Sequence, residues 1–191
     1  MSEVLLNHIN RYVELDEGIA QEIAAFFSTL KLQKRQVILE EGSVCNQLFF
    51  VSKGCLRLYY LDDKGVEQTI QFALETWWMT DIDAFNKKGK SSYSIQALEN
   101  SEVVAISKDD WTLLLEKFPE LEKYFRQIYE RAYAASLFRI KLFRLSKEEF
   151  YHLFRDSYPG FIQRIPQKIL ASFLGFTPEY LSELRKKNES K

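Results

Sequence analysis

The apolar positions of this chain change period three times. Ile9, Val13, Leu15, Ile19, Ile23, Phe26, Phe27 and Leu30 recur at helical spacings, which predicts a helix from about Asp16–Glu17 through Leu30. From Lys31 the period falls to two. Val37 and Leu39 alternate with polar neighbours, and Glu41-Gly42 supplies a turn. Leu48-Phe49-Phe50-Val51 reads as a short buried strand stopped by Ser52-Lys53-Gly54. Leu56, Leu58 and Tyr60 alternate again up to Asp62-Asp63-Lys64-Gly65, a hairpin turn with glycine where φ must be positive. Thr69–Phe72, Ser94–Leu98 and Glu102–Ile106 complete a set of short strands. Their spacing predicts a closed or two-layered β structure.

After Lys108 the helical period returns. One helix is predicted from Asp109 to Phe118, stopped near Pro119, and a longer one from Glu120 to about Leu145. Along the latter, Leu121, Phe125, Ile128, Ala132, Ala135 and Leu142 alternate spacings of three and four, as in a coiled-coil seam, with Arg139 interrupting. This favours a dimer helix over a helix lying on its own β domain. A further helix lies within residues 146–164. Ser146 with Glu149 forms its capping box, and it ends around Asp156–Gly160.

The last thirty residues carry the sharpest pattern. Pro166 suits a helix start, and Leu170 and Leu174 share one face. Ala171 permits close helix approach, and Gly175 permits the left-handed turn that ends a helix. Thr177-Pro178-Glu179 then starts a second helix, with Leu181 and Leu184 as its apolar stripe. The joint match predicts a DNA-binding helix-turn-helix in preference to a packing-only αα-corner.

The charge distribution strengthens that preference. The 191 residues carry a net charge of −1, yet residues 1–125 hold 13 Lys+Arg against 20 Asp+Glu, and residues 126–191 hold 13 against 7. A basic rear suits phosphate. No run of apolar residues reaches membrane-span length and no leader pattern is present, so a cytoplasmic location is expected. Cys45 and Cys55 are too few for a disulfide framework and read as packed thiols. His8 and His152 are far apart and offer no metal-ligand spacing. Phosphate-cradling Gly-rich loops and nucleophile motifs are missing. No cofactor, metal or catalytic residue is expected, and the chain does not read as an enzyme.

Helix, β-roll, long helix and helix-turn-helix, in this order, resemble the Crp/Fnr family of bacterial transcription regulators over nearly the whole chain from about Leu32. The stretches Ile38–Gly42, Leu48–Tyr60 and Gly65–Glu67 are similar to that family's β-roll with its turn glycines. The resemblance implies an α+β fold in three parts: a β-roll sensor domain with flanking helices over residues 1–118, a dimerisation helix over 119–145, and an all-α helix-turn-helix domain over 146–191 without an evident wing. Seven residues after Leu184 leave no room for that hairpin. Cyclic-AMP-binding relatives hold the ribose with a Gly-Glu pair and the cyclic phosphate with an Arg-Ser pair. The matching positions are Thr80-Asp81 and Ser91-Ser92, the candidate ligand pocket. A hydroxyl at Ser91 does not replace a bidentate guanidinium, so tight cyclic-AMP binding is not expected. Iron–sulfur sensing needs about four cysteines and fails by inventory.

The resemblance also implies a homodimer, paired through Phe125, Ile128, Ala132, Ala135 and Leu142. Two reading helices would then lie ~34 Å apart on a roughly palindromic duplex DNA site. Thr177, Glu179, Ser182, Glu183 and Lys186 are the groove-facing candidates, Pro178 is a further DNA-binding position, and Gln167, Lys168, Arg185, Lys186 and Lys187 are the phosphate anchors. Pro178 and Glu183 stand where the family usually carries arginines, so base preference should differ. RNA polymerase and an unidentified small-molecule effector are the further partners this reading admits. The rival is a small-molecule-binding or protein-interaction module with a vestigial helix-turn-helix.

Overall fold

The computed structural model describes residues 3–189, with side chains as far as Lys187. The chain divides into two compact units: residues 1–60 with 70–128, and residues 61–69 with 129–191.

In the first unit, α1 (Glu3–Ile9) and α2 (Glu17–Ala24) precede β1 (Ser28–Leu32), β2 (Val37–Leu39), β3 (Gln47–Lys53), β4 (Leu56–Leu61), β5 (Glu67–Ala73) and β6 (Trp78–Met79). Then come α3 (Ile82–Lys87), β7 (Ser94–Ala97), β8 (Ser101–Ser107) and α4 (Lys108–Lys117). The strands form two four-stranded sheets, ordered β1-β8-β3-β6 and β2-β7-β4-β5. Leu48–Val51 is buried throughout, because strand β3 is covered on both faces. One face joins the apolar interior with Leu56, Leu58, Ile95 and Ala97. On the other, Phe50 meets His8 and Trp78 with ring centroids 5.6 and 5.1 Å apart. Trp78 Nε1 donates to the Tyr124 hydroxyl at 2.7 Å, and that hydroxyl lies 2.9 Å from His8 Nδ1. His8 therefore serves the core.

One predicted element is shorter than expected. The helix anticipated through Leu30 stops at Ala24, and Ser28–Leu32 instead pairs antiparallel with β8, from Ser28 opposite Ala105 to Leu32 opposite Ser101. Five residues of ladder satisfy backbone groups that a helical continuation would have satisfied locally. The gain comes from covering β8, which local spacing does not report.

Helix α5 (Leu121–Leu142) is continuous across the division of units at Ile128. The second unit continues with α6 (Lys147–Ser157), α7 (Pro159–Arg164), α8 (Gln167–Leu174) and α9 (Pro178–Glu189) around Leu142, Phe150, Phe154, Phe161, Leu170, Leu174, Leu181 and Leu184. Ser146 and Glu149 cap α6 reciprocally. Pro159 starts the separate short α7. Arg139, the interruption in the apolar seam, turns to α8: its terminal nitrogen donates to the Phe173 carbonyl at 3.0 Å and its guanidinium lies 4.0 Å from the Phe173 ring centre. The segment 61–69 joins this unit through Ser172, whose Oγ accepts from Thr69 N–H at 2.8 Å and donates to the Glu67 carbonyl at 3.0 Å. No helix among the described residues is long and apolar enough to cross a membrane.

Candidate functional site

The corner between α8 and α9 follows from local chemistry. Leu170, Ala171 and Leu174 are buried, and Gly175 ends α8 at φ 71°, ψ 31°. The next amide, Phe176 N–H, returns to the Ala171 carbonyl at 2.9 Å, closing a left-handed C-terminal cap. Thr177 Oγ1 accepts from Tyr180 N–H at 3.2 Å and so caps α9. Gln167 Nε2 donates to the Pro178 carbonyl at 3.2 Å, tying the start of one helix to the start of the next. With Leu181 and Leu184 buried, α9 turns Glu179, Glu183, Lys186 and Lys187 outward.

The DNA-binding candidates of α9 and its cap thus separate. Thr177, Glu179, Glu183 and Lys186 are exposed, while Pro178 and Ser182 are half-buried. Among the anchors, Lys168 is exposed. Lys187 pairs with Glu148 at 3.3 Å. Arg185 is half-buried and donates to the Ile162 carbonyl at 3.0 Å. A cleft of about 440 Å³ joins Gln167, Ser182, Arg185 and Lys186 to three residues not anticipated from sequence: Tyr151, Arg155 and Ile162. Arg155 beside Asp156 reads in sequence as an ordinary solvated pair. Only packing of α6 against α9 gives it neighbours.

In the first unit three of the four pocket candidates, Asp81, Ser91 and Ser92, come together in a closed hydrogen-bond knot, while Thr80 bonds elsewhere. Asp81 is buried, and its Oδ1 accepts from Ala84 N–H at 3.2 Å, capping α3. Its Oδ2 accepts from Ser92 N–H at 2.9 Å and lies 3.1 Å from Ser91 Oγ. Ser91, also buried, lies 2.8 Å from the Tyr93 carbonyl and has one proton for these two acceptors. Thr80 Oγ1 donates to the Gln47 carbonyl at 2.8 Å, with Cys45 Sγ 3.1 Å away. Burial, before any other influence, pushes the Cys45 thiol above its ordinary value. The nearby lysines serve the surface: Lys87 pairs with Asp83 at 2.8 Å, and Lys88 pairs with Asp109. A cavity of about 320 Å³ in this unit is lined by Val37, Leu39, Ser43, Val44, Gln47 and Phe49 among others, and by none of the four.

The seam residues of α5 also separate. Phe125 and Leu142 are buried against their own chain, and Ile128 packs on the core of the first unit. Ala132 and Ala135 are exposed. So are Tyr133 at 67%, Leu137 at 49% and Ile140 at 59%.

Residues 29–118 match the family model of the cyclic nucleotide-binding domain, slightly under half of the chain. No curated protein matches in sequence. Among solved structures, FixK2 from Bradyrhizobium japonicum superposes with a TM-score of 0.71 at 14% identity, over 86% of this chain and 85% of that one. The c-di-GMP-responsive global regulator CLP of Xanthomonas campestris gives 0.69 at 14% identity, over 92% of each chain. A putative regulator of the Crp/Fnr family from Eubacterium rectale gives 0.68 at 16% identity, over 93% and 85%. At these identities the likeness is one of fold: a β-roll of the cyclic nucleotide-binding type, a long helix and C-terminal helices in the Crp/Fnr arrangement.

Proposed function

We propose that this chain, built on the Crp/Fnr architecture, is a homodimeric transcription regulator that binds duplex DNA sequence-specifically and does not respond to cyclic AMP. The observation that carries this reading is the α8–α9 corner. A capped helix start, a left-handed glycine and two buried leucines hold an outward stripe of Glu179, Glu183 and Lys186 on one helix, with Lys168 exposed on the other. Such a stripe suits the major groove, where a carboxylate accepts from a cytosine amino group and a lysine donates to guanine. Lys168 supplies phosphate neutralisation.

Dimerisation is supported by the exposed apolar stretch of α5. Because Phe125 and Leu142 are used within the chain, we place the pairing face on Tyr129, Ala132, Tyr133, Ser136 and Ile140. Tyr129, Ala132, Ser136 and Ile140 recur at spacings of three and four with Tyr133 beside them, and two helices bearing this face would cover each other. The knot at Asp81 supports insensitivity to cyclic AMP. Its acceptors are already engaged by Ala84, Ser91 and Ser92, and Ser91 offers a hydroxyl in place of a guanidinium. An anion there would lack the charge-assisted partners that repay its desolvation.

The test is selection of a random duplex pool on the purified full chain, with calorimetric titration of cyclic AMP alongside. Enrichment of a near-palindromic site and no micromolar cyclic-AMP binding are expected. Absence of any enriched site favours the interaction-module reading, which draws on the two carboxylates in the α9 stripe.

A further inference from the structure

We propose that the cleft between α6, α7, α8 and α9 is an oxyanion site that takes a phosphate group, with Arg155 and Arg185 as its clamp. DNA binding, as proposed above, supplies the favoured source of that phosphate, but the site stands on its own lining. Of the seven residues around the cleft, Arg155, Arg185 and Lys186 are cationic and none is a carboxylate. A concave wall of one sign focuses the field and draws a counter-charge. Gln167 and Ser182 add neutral hydrogen-bonding groups, and buried Tyr151 forms part of the wall.

The two guanidinium groups are held in place before any ligand arrives. Arg155 Nε donates to Asp156 at 2.7 Å, outside the lining. Arg185 is fixed by the Ile162 carbonyl at 3.0 Å. Arginine forks fixed in this way match a phosphate's oxygens, whereas a mobile lysine offers only a point charge. The cleft of about 440 Å³ exceeds what a bare phosphate needs and leaves room for an attached sugar. Lys186 belongs both to this cleft and to the outward stripe of α9, so a backbone phosphate beside the bases facing that stripe is within reach. A small phosphorylated molecule shares the chemistry and is the other source.

Two measurements on the full chain separate these sources. In the first, the arginine Nε signals of the labelled protein are followed by NMR during titration with inorganic phosphate, and with chloride at matched ionic strength. Saturable shifts at Arg155 and Arg185 with phosphate alone are expected. Arg155→Ala should abolish the shift at Arg185, and Arg155→Lys should weaken it several-fold. Arg155 sits in an exposed ion pair, and an unchanged melting temperature verifies that both variants fold. In the second, affinity for a random-sequence duplex is measured across salt for the wild type, Arg155→Ala, Lys168→Ala and the control Lys123→Ala.

Each phosphate contact contributes about 0.9 to the slope of log affinity against log salt. Arg155→Ala should therefore lower the slope by about 0.9 per protomer, and Lys123→Ala should not. A phosphate shift with an unaltered slope keeps the site and overturns DNA as its source. No phosphate shift together with an unaltered slope overturns the site, while a lowered slope for Lys168→Ala leaves the DNA-binding reading standing. If the wild type binds no duplex, that reading fails and the phosphate titration alone decides the cleft.

Discussion

Single residues set the turns on which both units depend, and glycine substitutions separate two of the forces involved. Gly65 (φ 73°) has open space around its missing side chain, while a Cβ at Gly54 (φ 102°) would overlap Ser101. Gly65→Ala should cost only the left-handed backbone term, about 1–2 kcal/mol. Gly54→Ala adds an overpacking term of about 1–3 kcal/mol. Denaturant titration of the two variants should rank them in that order, and equal losses would place Ser101 elsewhere. Asp62-Asp63-Lys64-Gly65 was legible in sequence because a hairpin turn is local. The role of Ser101 under Gly54 was not, since the two lie 47 positions apart in the chain.

At the scale of an element, α6 and α9 make different predictions. The Glu149 carboxyl is held below its ordinary value of 4.5, first by the Ser146 hydroxyl and then by the Ser146 N–H. Its folded value being depressed, the charged cap's contribution is complete above 4.5 and disappears as pH falls through the lowered value. Glu149→Gln keeps an acceptor but not the charge. The stability gap between wild type and variant, read by circular dichroism in urea, should close on acidification. A gap constant with pH would deny the charge any part in the cap.

On α9, Glu179→Ala should relax preference at one base pair per half-site by about 1–3 kcal/mol, measured on a selected operator and its point variants. Lys168→Ala should weaken all sequences alike and lower the salt slope by about two per dimer. Unchanged relative affinities for Glu179→Ala would remove α9 from base reading.

For the whole molecule the decisive face is the exposed stretch of α5. Ile140 is 59% exposed and Ala132 is also open, so a charge at either site is harmless to the single chain and buried only on pairing. Ile140→Glu and Ala132→Glu should remain folded yet sediment as monomers, because like charges would be buried against each other. Leu142→Glu should unfold the second unit instead, since Leu142 is only 3% exposed within its own chain. A dimer unaffected by Ile140→Glu and Ala132→Glu would move the interface off this face.

Short-range chemistry is what the order of residues carries on its own. Strands β2–β5, β7 and β8, the Ser146–Glu149 box, the Gly175 turn and the Thr177 cap all show in residues within a few positions of each other, where period, φ and capping hydrogen bonds are set, whereas β1 does not. Tertiary structure alone decided which chemically suitable residues remain available. A three-four spacing marks α5 as amphipathic but cannot say which apolar side its own chain covers. The spacing sets Phe125 and Leu142 in a seam, yet packing takes both inward, and Arg139, which interrupts that spacing, bonds α8. The carboxylate of Asp81 is likewise the same group in sequence whether free for a ribose or closed on Ala84, Ser91 and Ser92. Arg155 and Arg185 line one cleft only because the fold brings α6 and α9 to it. Burial and hydrogen-bond satisfaction are properties of contacts between distant segments, and no local pattern encodes them.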